Sequence, residues 1–183
     1  MKSCDRNVVL VVSSWSKFVL CALASWREIF LCVVLLCFVA VRGVSHAENW
    51  ERFRGPNGAG RSEDDAIPSE WKAENFLWKR PLESVGHSSP VIWDGTVYVT
   101  SADPDTGAQL VFALDAATGV PRWQKKFDLS TYHINPQNSY ASSTPAVDEE
   151  HLYLTWLDGG RATLVALTHD GNEVWRRAVG PYE

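Results

Sequence analysis

Cysteine is scarce in this 183-residue chain and confined to one end of it. The four cysteines, Cys4, Cys21, Cys32 and Cys37, all lie near the amino terminus, so residues 48–183 contain none. Their absence excludes a disulfide framework, a thiolate metal site and a catalytic thiol from that larger part of the chain. Long runs with the periodicity of amphipathic helices are missing there as well.

An excess of positive charge is also lacking. Lys and Arg number 17 against 22 Asp and Glu, which gives a net charge of −5. This acidic balance excludes a nucleic-acid binder that works by neutralising phosphates. Apolar residues, in contrast, make up 45% of the chain, and nine tryptophans raise the aromatic share to 11%. That composition excludes a disordered chain and favours a folded domain.

The amino-terminal 47 residues have the pattern of an export signal. An apolar core at 29–41 follows Arg27, and the small residues Ser45 and Ala47 lie close before Glu48. The pattern predicts a signal peptide cleaved before Glu48, and therefore a periplasmic or other envelope location. A second interpretation stays open, in which residues 1–47 remain as an anchor in the inner membrane.

Short strands and tight turns dominate the chain from residue 76 onward. Four extended segments follow one another closely, at 89–93, 96–100, 109–114 and 121–127. Asp94-Gly95 is a strong turn dipeptide between the first two of them. Four short strands joined by tight connections predict an antiparallel meander.

The same order of segments then recurs. The second set of extended segments lies about 52 to 55 residues after the first, at 143–147, 151–155, 163–167 and 170–175. Residues 77–82 look like the last strand of a preceding unit, because Trp78 precedes Trp123 by 45 residues, which is close to the repeat interval. A four-stranded repeat of this length is typical of β-propeller blades.

Residues 113–123, ALDAATGVPRW, carry the most specific motif. They resemble the tryptophan-docking motif of quinoprotein-type propellers, A-x-D-x-x-T-G-x-x-x-W, at every defined position. Residues 166–175 form a second copy that is one residue shorter, with Thr168 in place of the aspartate. The opening NWERFRGPNG at 49–58 and the GHSSPV stretch at 86–91 are similar to exported bacterial PQQ-like, BamB-like propeller proteins.

This resemblance implies an all-β fold, namely a partial β-propeller of about two four-stranded antiparallel blades. It divides the chain into the leader 1–47, a lead-in segment 48–75 and an incomplete propeller 76–183. A propeller closes with about four to eight blades, so two blades predict a truncated product. The missing blades would then come from elsewhere or from self-association.

The motif residues predict structural roles. Glycine permits a left-handed turn, aspartate accepts hydrogen bonds from the turn backbone, and the indole packs flat between blades. The residues to which we assign this role are Asp115, Gly119, Trp123, Gly171 and Trp175.

Catalytic candidates are weaker. Asp103 and Asp105 are two residues apart, which suggests a calcium site, but they lack the further ligands of a calcium loop. The pair therefore predicts a turn between two strands.

A separate hypothesis places a polar cluster near the propeller axis, facing the central channel. Its members are His87, Ser88, His133 and Asn138.

Two functional classes follow from the resemblance. The first is a non-catalytic interaction scaffold of the cell envelope, with a protein partner there and a BamB-like role in assembling outer-membrane proteins. The alternative is a fragment of a dehydrogenase that binds pyrroloquinoline quinone (PQQ). The first is favoured because the sequence offers no nucleophile–base pair, metal set or redox cysteine beyond the leader, and we assign no cofactor.

Overall fold

A computed structural model describes residues 48–62 and 68–181. The leader 1–47, with its proposed signal or anchor and all four cysteines, lies outside the described residues. The described residues belong to one contact unit, His46–Glu183. Across them, no helix is long and apolar enough to cross a membrane.

Eight strands form two sheets of the same design. Blade 1 contains β1 (Val91–Trp93), β2 (Thr96–Ala102), β3 (Gln109–Asp115) and β4 (Pro121–Phe127). Blade 2 contains β5 (Ala146–Val147), β6 (Leu152–Asp158), β7 (Arg161–Leu167) and β8 (Glu173–Pro181). In each blade the strands pair antiparallel in sequence order, which confirms the predicted all-β partial propeller of two four-stranded blades.

The repeat extends to irregularities in the pairing. In blade 1 the register between β3 and β4 shifts at Ala113/Leu114, and in blade 2 the register between β7 and β8 shifts at Ala166/Leu167. Each shift lies directly before the turn that carries the docking motif. A bulge bends the strand locally and redirects the side chains that follow it, so both turns leave their sheets in the same way.

The main core lies between the two sheets. Tyr98 and Val111 of blade 1 pack in one cluster with Leu152, Leu154 and other buried side chains of blade 2. A smaller cluster lies on the opposite side of blade 1, around Leu110, Phe112 and Leu114. Blade 1 therefore buries both faces of its sheet.

The segment that covers this second face differs from the sequence prediction. Residues 77–82 form no strand, although their sequence resembles a last blade strand. They cross the back of blade 1, where Trp78 and Leu82 pack against the smaller cluster. We call residues 76–85 the strap. Its one ladder-type contact is an isolated bridge between Val85 and Ala102.

The lead-in also contacts both blades. It includes two short 3₁₀ turns, Pro56–Gly58 and Ala73–Asn75. Trp50 exchanges two backbone hydrogen bonds with Ile92 of β1, and the carbonyl of Glu51 accepts a hydrogen bond from the Val147 amide of β5. The lead-in therefore links the first strands of the two sheets.

Candidate functional site

The turn between β3 and β4 is organised by Asp115. One carboxylate oxygen accepts hydrogen bonds from the amides of Ala117 and Thr118, at 3.2 and 3.0 Å, and from the Thr118 hydroxyl at 2.8 Å. The other oxygen forms a 2.9 Å ion pair with Arg122. The hydrogen bond from Arg122, followed by that from Thr118, lowers the pKa of Asp115. The two amide hydrogen bonds are of the kind expected from the sequence, whereas the bond from the Thr118 hydroxyl and the ion pair with Arg122 were not expected.

Glycine is needed in both docking turns because an indole lies against the backbone. Gly119 has φ 69° and Gly171 has φ 83°, a conformation that other L-residues rarely adopt. A Cβ atom on Gly119 would lie 2.6 Å from the ring of Trp78, and one on Gly171 would lie 3.0 Å from the ring of Trp123. Each glycine thus leaves the space in which the indole ring from the preceding segment of the chain packs.

The two indoles make the same hydrogen bond. Trp78 Nε1 donates to the carbonyl of Ala116 at 2.9 Å, and Trp123 Nε1 donates to the carbonyl of His169 at 2.7 Å. Ala116 and His169 occupy equivalent positions, directly after Asp115 and its counterpart Thr168. Stacking on the glycine buries part of each indole, and the hydrogen bond from Nε1 fixes the orientation of the ring.

Further side chains strengthen the junction between the blades. The ring of Tyr98 lies 6.1 Å from that of Trp123, and its hydroxyl lies 3.0 Å from His169 Nδ1. His169 Nε2 lies 3.2 Å from the carbonyl of Glu149, which can only accept, so Nε2 carries a hydrogen. In the neutral ring Tyr98 therefore donates to Nδ1. Lys125 completes the junction by donating to the carbonyl of Gly171 at 2.7 Å.

These junction residues of blade 1 lie in two rows across its sheet. Cross-strand partners share a face, and the register aligns Tyr98 with Ala113 and Trp123, and Thr100 with Val111 and Lys125. We call this surface the forward face of blade 1. Blade 2 packs on it, and Tyr98 is only 1% exposed there.

Blade 2 repeats the same two rows. Its register aligns Tyr153 with Ala166 and Trp175, and Thr155 with Leu164 and Arg177. Tyr153 and Trp175 lie 6.1 Å apart, the same separation as Tyr98 and Trp123. Residues 68–181 contain two sheets, so no third sheet packs on this forward face of blade 2, and Thr155 and Arg177 are exposed.

A cleft of about 620 Å³ opens where the two blades and the lead-in meet. We call it the junction cleft. Aromatic rings, three carboxylates and several hydrogen-bonded polar groups line it: Asn49, Trp93, Asp94, Thr96, Tyr98, Arg122, Trp123, Glu149, His169 and Asp170. Its volume lies within the range of small-ligand sites.

The polar cluster proposed for the propeller axis stays a prediction. Ser88 accepts a hydrogen bond from the Thr100 hydroxyl at 2.9 Å, and the amides of His87 and Ser88 both donate to the carbonyl of Ala141. Asn138 instead bonds the hydroxyl of Ser142. Among residues 68–181, no hydrogen bond joins any two of His87, Ser88, His133 and Asn138.

The described residues do not fit a calcium-bound quinone. One carboxylate oxygen of Asp103 accepts from the amides of Asp105 and Thr106, both at 2.9 Å, as expected for a turn between β2 and β3. Across 48–62 and 68–181, no group of three or more His, Cys, Asp or Glu side chains could hold a metal ion. We therefore derive no chemistry through such a cofactor.

Several junction residues were not identified from the sequence. Tyr98 and Lys125 were assigned only to strands, and His169 only to a degenerate motif copy. For Tyr98 the repeat offered a signal. Tyr98 and Tyr153 are separated by 55 residues, and the same interval separates the preceding dipeptides Ser89-Pro90 and Thr144-Pro145.

The sequence of the chain matches a family of known proteins. The sequence family described as "Outer membrane protein assembly factor BamB" matches residues 70–182. No curated protein matches the chain. Among solved structures, a europium-containing methanol dehydrogenase is similar with a TM-score of 0.34 and 18% identity. A quinohemoprotein alcohol dehydrogenase from Pseudomonas putida HK5 is similar with a TM-score of 0.35 and 26% identity.

Both structural matches cover 49% of this chain, and the chain spans only 15% and 12% of those two enzymes. The family match, in contrast, includes both blades and the strap that docks on blade 1. The chain belongs to the PQQ-like, BamB-like β-propeller repeat family.

Proposed function

We propose that this chain is a non-catalytic interaction scaffold and that the forward face of blade 2 is its docking surface. The observation that carries the proposal is the match between the two forward faces. Tyr153, Trp175 and Arg177 repeat the positions of Tyr98, Trp123 and Lys125, the three side chains that hold blade 2.

The chemistry of a suitable partner follows from the covered junction. The partner would present a turn with a glycine for the ring of Trp175, and carbonyl oxygens for its Nε1 and for the guanidinium of Arg177. A further PQQ-like sheet offers this arrangement, because Gly171 and His169 present it to Trp123 and Lys125. A more specific role for this scaffold, in the assembly of outer-membrane proteins, is supported by the description of the family.

A non-catalytic role is supported by how the carboxylates are used. Asp103, Asp115 and Asp148 each accept hydrogen bonds from backbone amides two and three residues further along the chain. A carboxylate committed in this way stabilises a turn and is poorly placed to act as a general base.

The association state of the full chain tests the docking surface. In a purified sample a second copy of the chain is always available as a partner. Light scattering should therefore show an average molecular mass that rises with protein concentration. Trp175→Ala should lower that mass towards the monomer, whereas Val174→Ala, the adjacent exposed position, should leave it unchanged. A wild-type monomer at all concentrations, or equal effects of both variants, would contradict the proposal.

A cofactor assay separates the scaffold from the dehydrogenase. With PQQ and Ca²⁺ added, the chain should give no dye reduction on alcohols or sugars. Dye reduction that depends on the protein would contradict the non-catalytic role.

A further inference from the structure

The second strand of each blade is longer than the first strand that pairs with it. β1 pairs only with residues 96–98 of β2, and β5 pairs only with Leu152 and Tyr153 of β6. We call the edge of β2 or β6 on the side of this first strand its inner edge. Beyond the first strand, the inner edge needs another partner, because an uncovered edge presents amide and carbonyl groups that can pair with another chain.

In blade 1 the strap and the residues after it cover the inner edge. Val85 exchanges two backbone hydrogen bonds with Ala102, at 2.7 and 3.3 Å. Ser88 Oγ accepts from the Thr100 amide at 3.4 Å and donates to the Thr100 carbonyl at 3.3 Å. A Cβ atom on Gly86 would lie 2.6 Å from the same carbonyl, so this segment lies directly against β2. Both strand residues are buried beneath it.

The inner edge of blade 2 lacks this cover among the described residues. The equivalent positions on β6, 55 residues further along the chain, are Thr155 and Leu157. Within 48–62 and 68–181, no hydrogen bond joins Ser143 to Thr155 and no bridge pairs with Leu157 on this edge. Tyr140, the counterpart of the strap valine, instead accepts a hydrogen bond on its carbonyl from Gln109 at 2.6 Å. Thr155 is accordingly exposed.

A groove of about 270 Å³ lies beside this open edge. Residues 155–157 line it together with members of the loop 132–143, and no Asp, Glu, Lys, Arg or His is among the lining residues. A charged ligand would therefore lose hydration there without gaining a counter-charge. The polar groups that the fold leaves available are neutral as well, namely the hydroxyls of Ser143 and Thr155 and the amide nitrogen of Asn138.

A buried donor in the same lining lacks an acceptor. Trp156 lines the groove and is 4% exposed. Its Nε1 has no hydrogen-bond partner in the part of the chain that the structure describes. A buried N–H group without an acceptor is unfavourable, and folded proteins normally supply one. This donor favours a ligand that brings carbonyl oxygens into the groove.

We propose that the inner edge of β6 binds an extended peptide segment of a protein partner, which adds a short antiparallel strand beside residues 155–157. The backbone of this segment repeats the bonds that Val85 and Ser88 make on blade 1. Its side chains are small and uncharged, as the neutral lining and the equivalent Gly86 require. A groove of about 270 Å³ lies below the range of sites for whole small molecules and suits a few residues of extended chain.

Hydrogen exchange of the full chain, followed by NMR, tests the pairing. The probe is a capped synthetic peptide with the sequence of residues 84–89, SVGHSS, because this segment covers the equivalent edge of blade 1. The amides of Thr155 and Leu157 should exchange rapidly in the free chain and about tenfold more slowly with saturating peptide. The amides of Thr100 and Ala102 are the matched controls and should exchange slowly in both samples.

Two further samples separate this site from other modes of binding. The same peptide with an N-methyl group on its valine keeps the side chains but loses a pairing amide, and should bind about tenfold more weakly. The variant Trp175→Ala removes the contact on which the proposed function depends. It should bind the unmodified peptide with unchanged affinity, because the inner edge does not use that indole, so either proposal can fail without the other.

Four results would overturn the proposal. Slow exchange of Thr155 and Leu157 in the free chain would mean that the edge is already covered. Rapid exchange that the peptide does not slow would mean that the edge does not pair with it. Equal binding of the N-methylated peptide would exclude pairing through the backbone, and loss of binding in Trp175→Ala would assign the peptide to the forward face of blade 2.

Discussion

The two blades have the same sheet and the same forward face, but within residues 68–181 a second sheet packs only on the face of blade 1. In blade 1, Trp123 stacks on Gly171 and Tyr98 is buried beside it. In blade 2, Trp175 and Tyr153 keep the same mutual geometry with no third sheet over them within residues 68–181. The arrangement of the aromatic pair is thus set within each sheet, and docking adds burial and hydrogen bonds to it.

The largest expected difference concerns the two indoles. Trp123→Ala removes a large side chain from the covered junction and should lower the free energy of unfolding by about 3–5 kcal/mol. Trp175→Ala removes the equivalent side chain, which is half-buried against its own sheet but has no second sheet on it within residues 68–181, and should cost less, about 1–2 kcal/mol, in the monomer. Urea unfolding of both variants measures the difference. Similar losses would show that the two faces are equally covered in solution.

A smaller difference is expected for the glycines. Gly171→Ala places a methyl group against the ring of Trp123 and forces alanine into φ 83°. Gly160→Ala is the matched control, because Gly160 has φ 74° and no atom within 4 Å of the added Cβ. The backbone strain common to both is about 1–2 kcal/mol. Gly171→Ala should cost a further 1–2 kcal/mol or so from overpacking, and equal midpoints in urea would refute the role of the glycine as a docking surface.

The smallest effect concerns the charge in the turn of blade 1. Because the folded state lowers the pKa of Asp115, its ionisation stabilises the fold above the ordinary value of 3.8, and this contribution is lost as the pH falls through the folded value. Asp115→Asn keeps a turn acceptor but removes the charge. The variant should therefore be less stable than the wild type at pH 7, and the difference should shrink below about pH 4.

Blade 2 provides the control for this pH dependence. It has Thr168 where blade 1 has Asp115, so Thr168→Ala should give a change in stability that is constant between pH 7 and pH 3. Thermal unfolding at several pH values measures both series. A constant difference for Asp115→Asn would show that the ion pair with Arg122 adds no stability.

The sequence predicted the elements whose causes are local. Asp94-Gly95 and the docking motif place turns at fixed positions, and β-branched and aromatic residues between them predict strands, so both sheets were foreseen. The strap was interpreted wrongly because residues 77–82 have the local pattern of β4, while a strand also needs a neighbour with which to pair. Tyr98 and His169 were missed as a pair because 71 residues separate them, and the junction cleft was missed because its lining comes from three separate parts of the chain.

The strap shows what the contact between an indole and a docking turn requires. Trp78 occupies the turn of blade 1 with the stacking and hydrogen bond that Trp123 makes on blade 2, yet it arrives on a segment that forms no strand. At this boundary the docking indole therefore needs no strand of its own, and Leu82 and Val85 of the strap add further contacts to blade 1. The contact between an indole and a docking turn is thus separable from the sheet that supplies the indole between the two blades, because a segment that forms no strand makes the same hydrogen bond on blade 1.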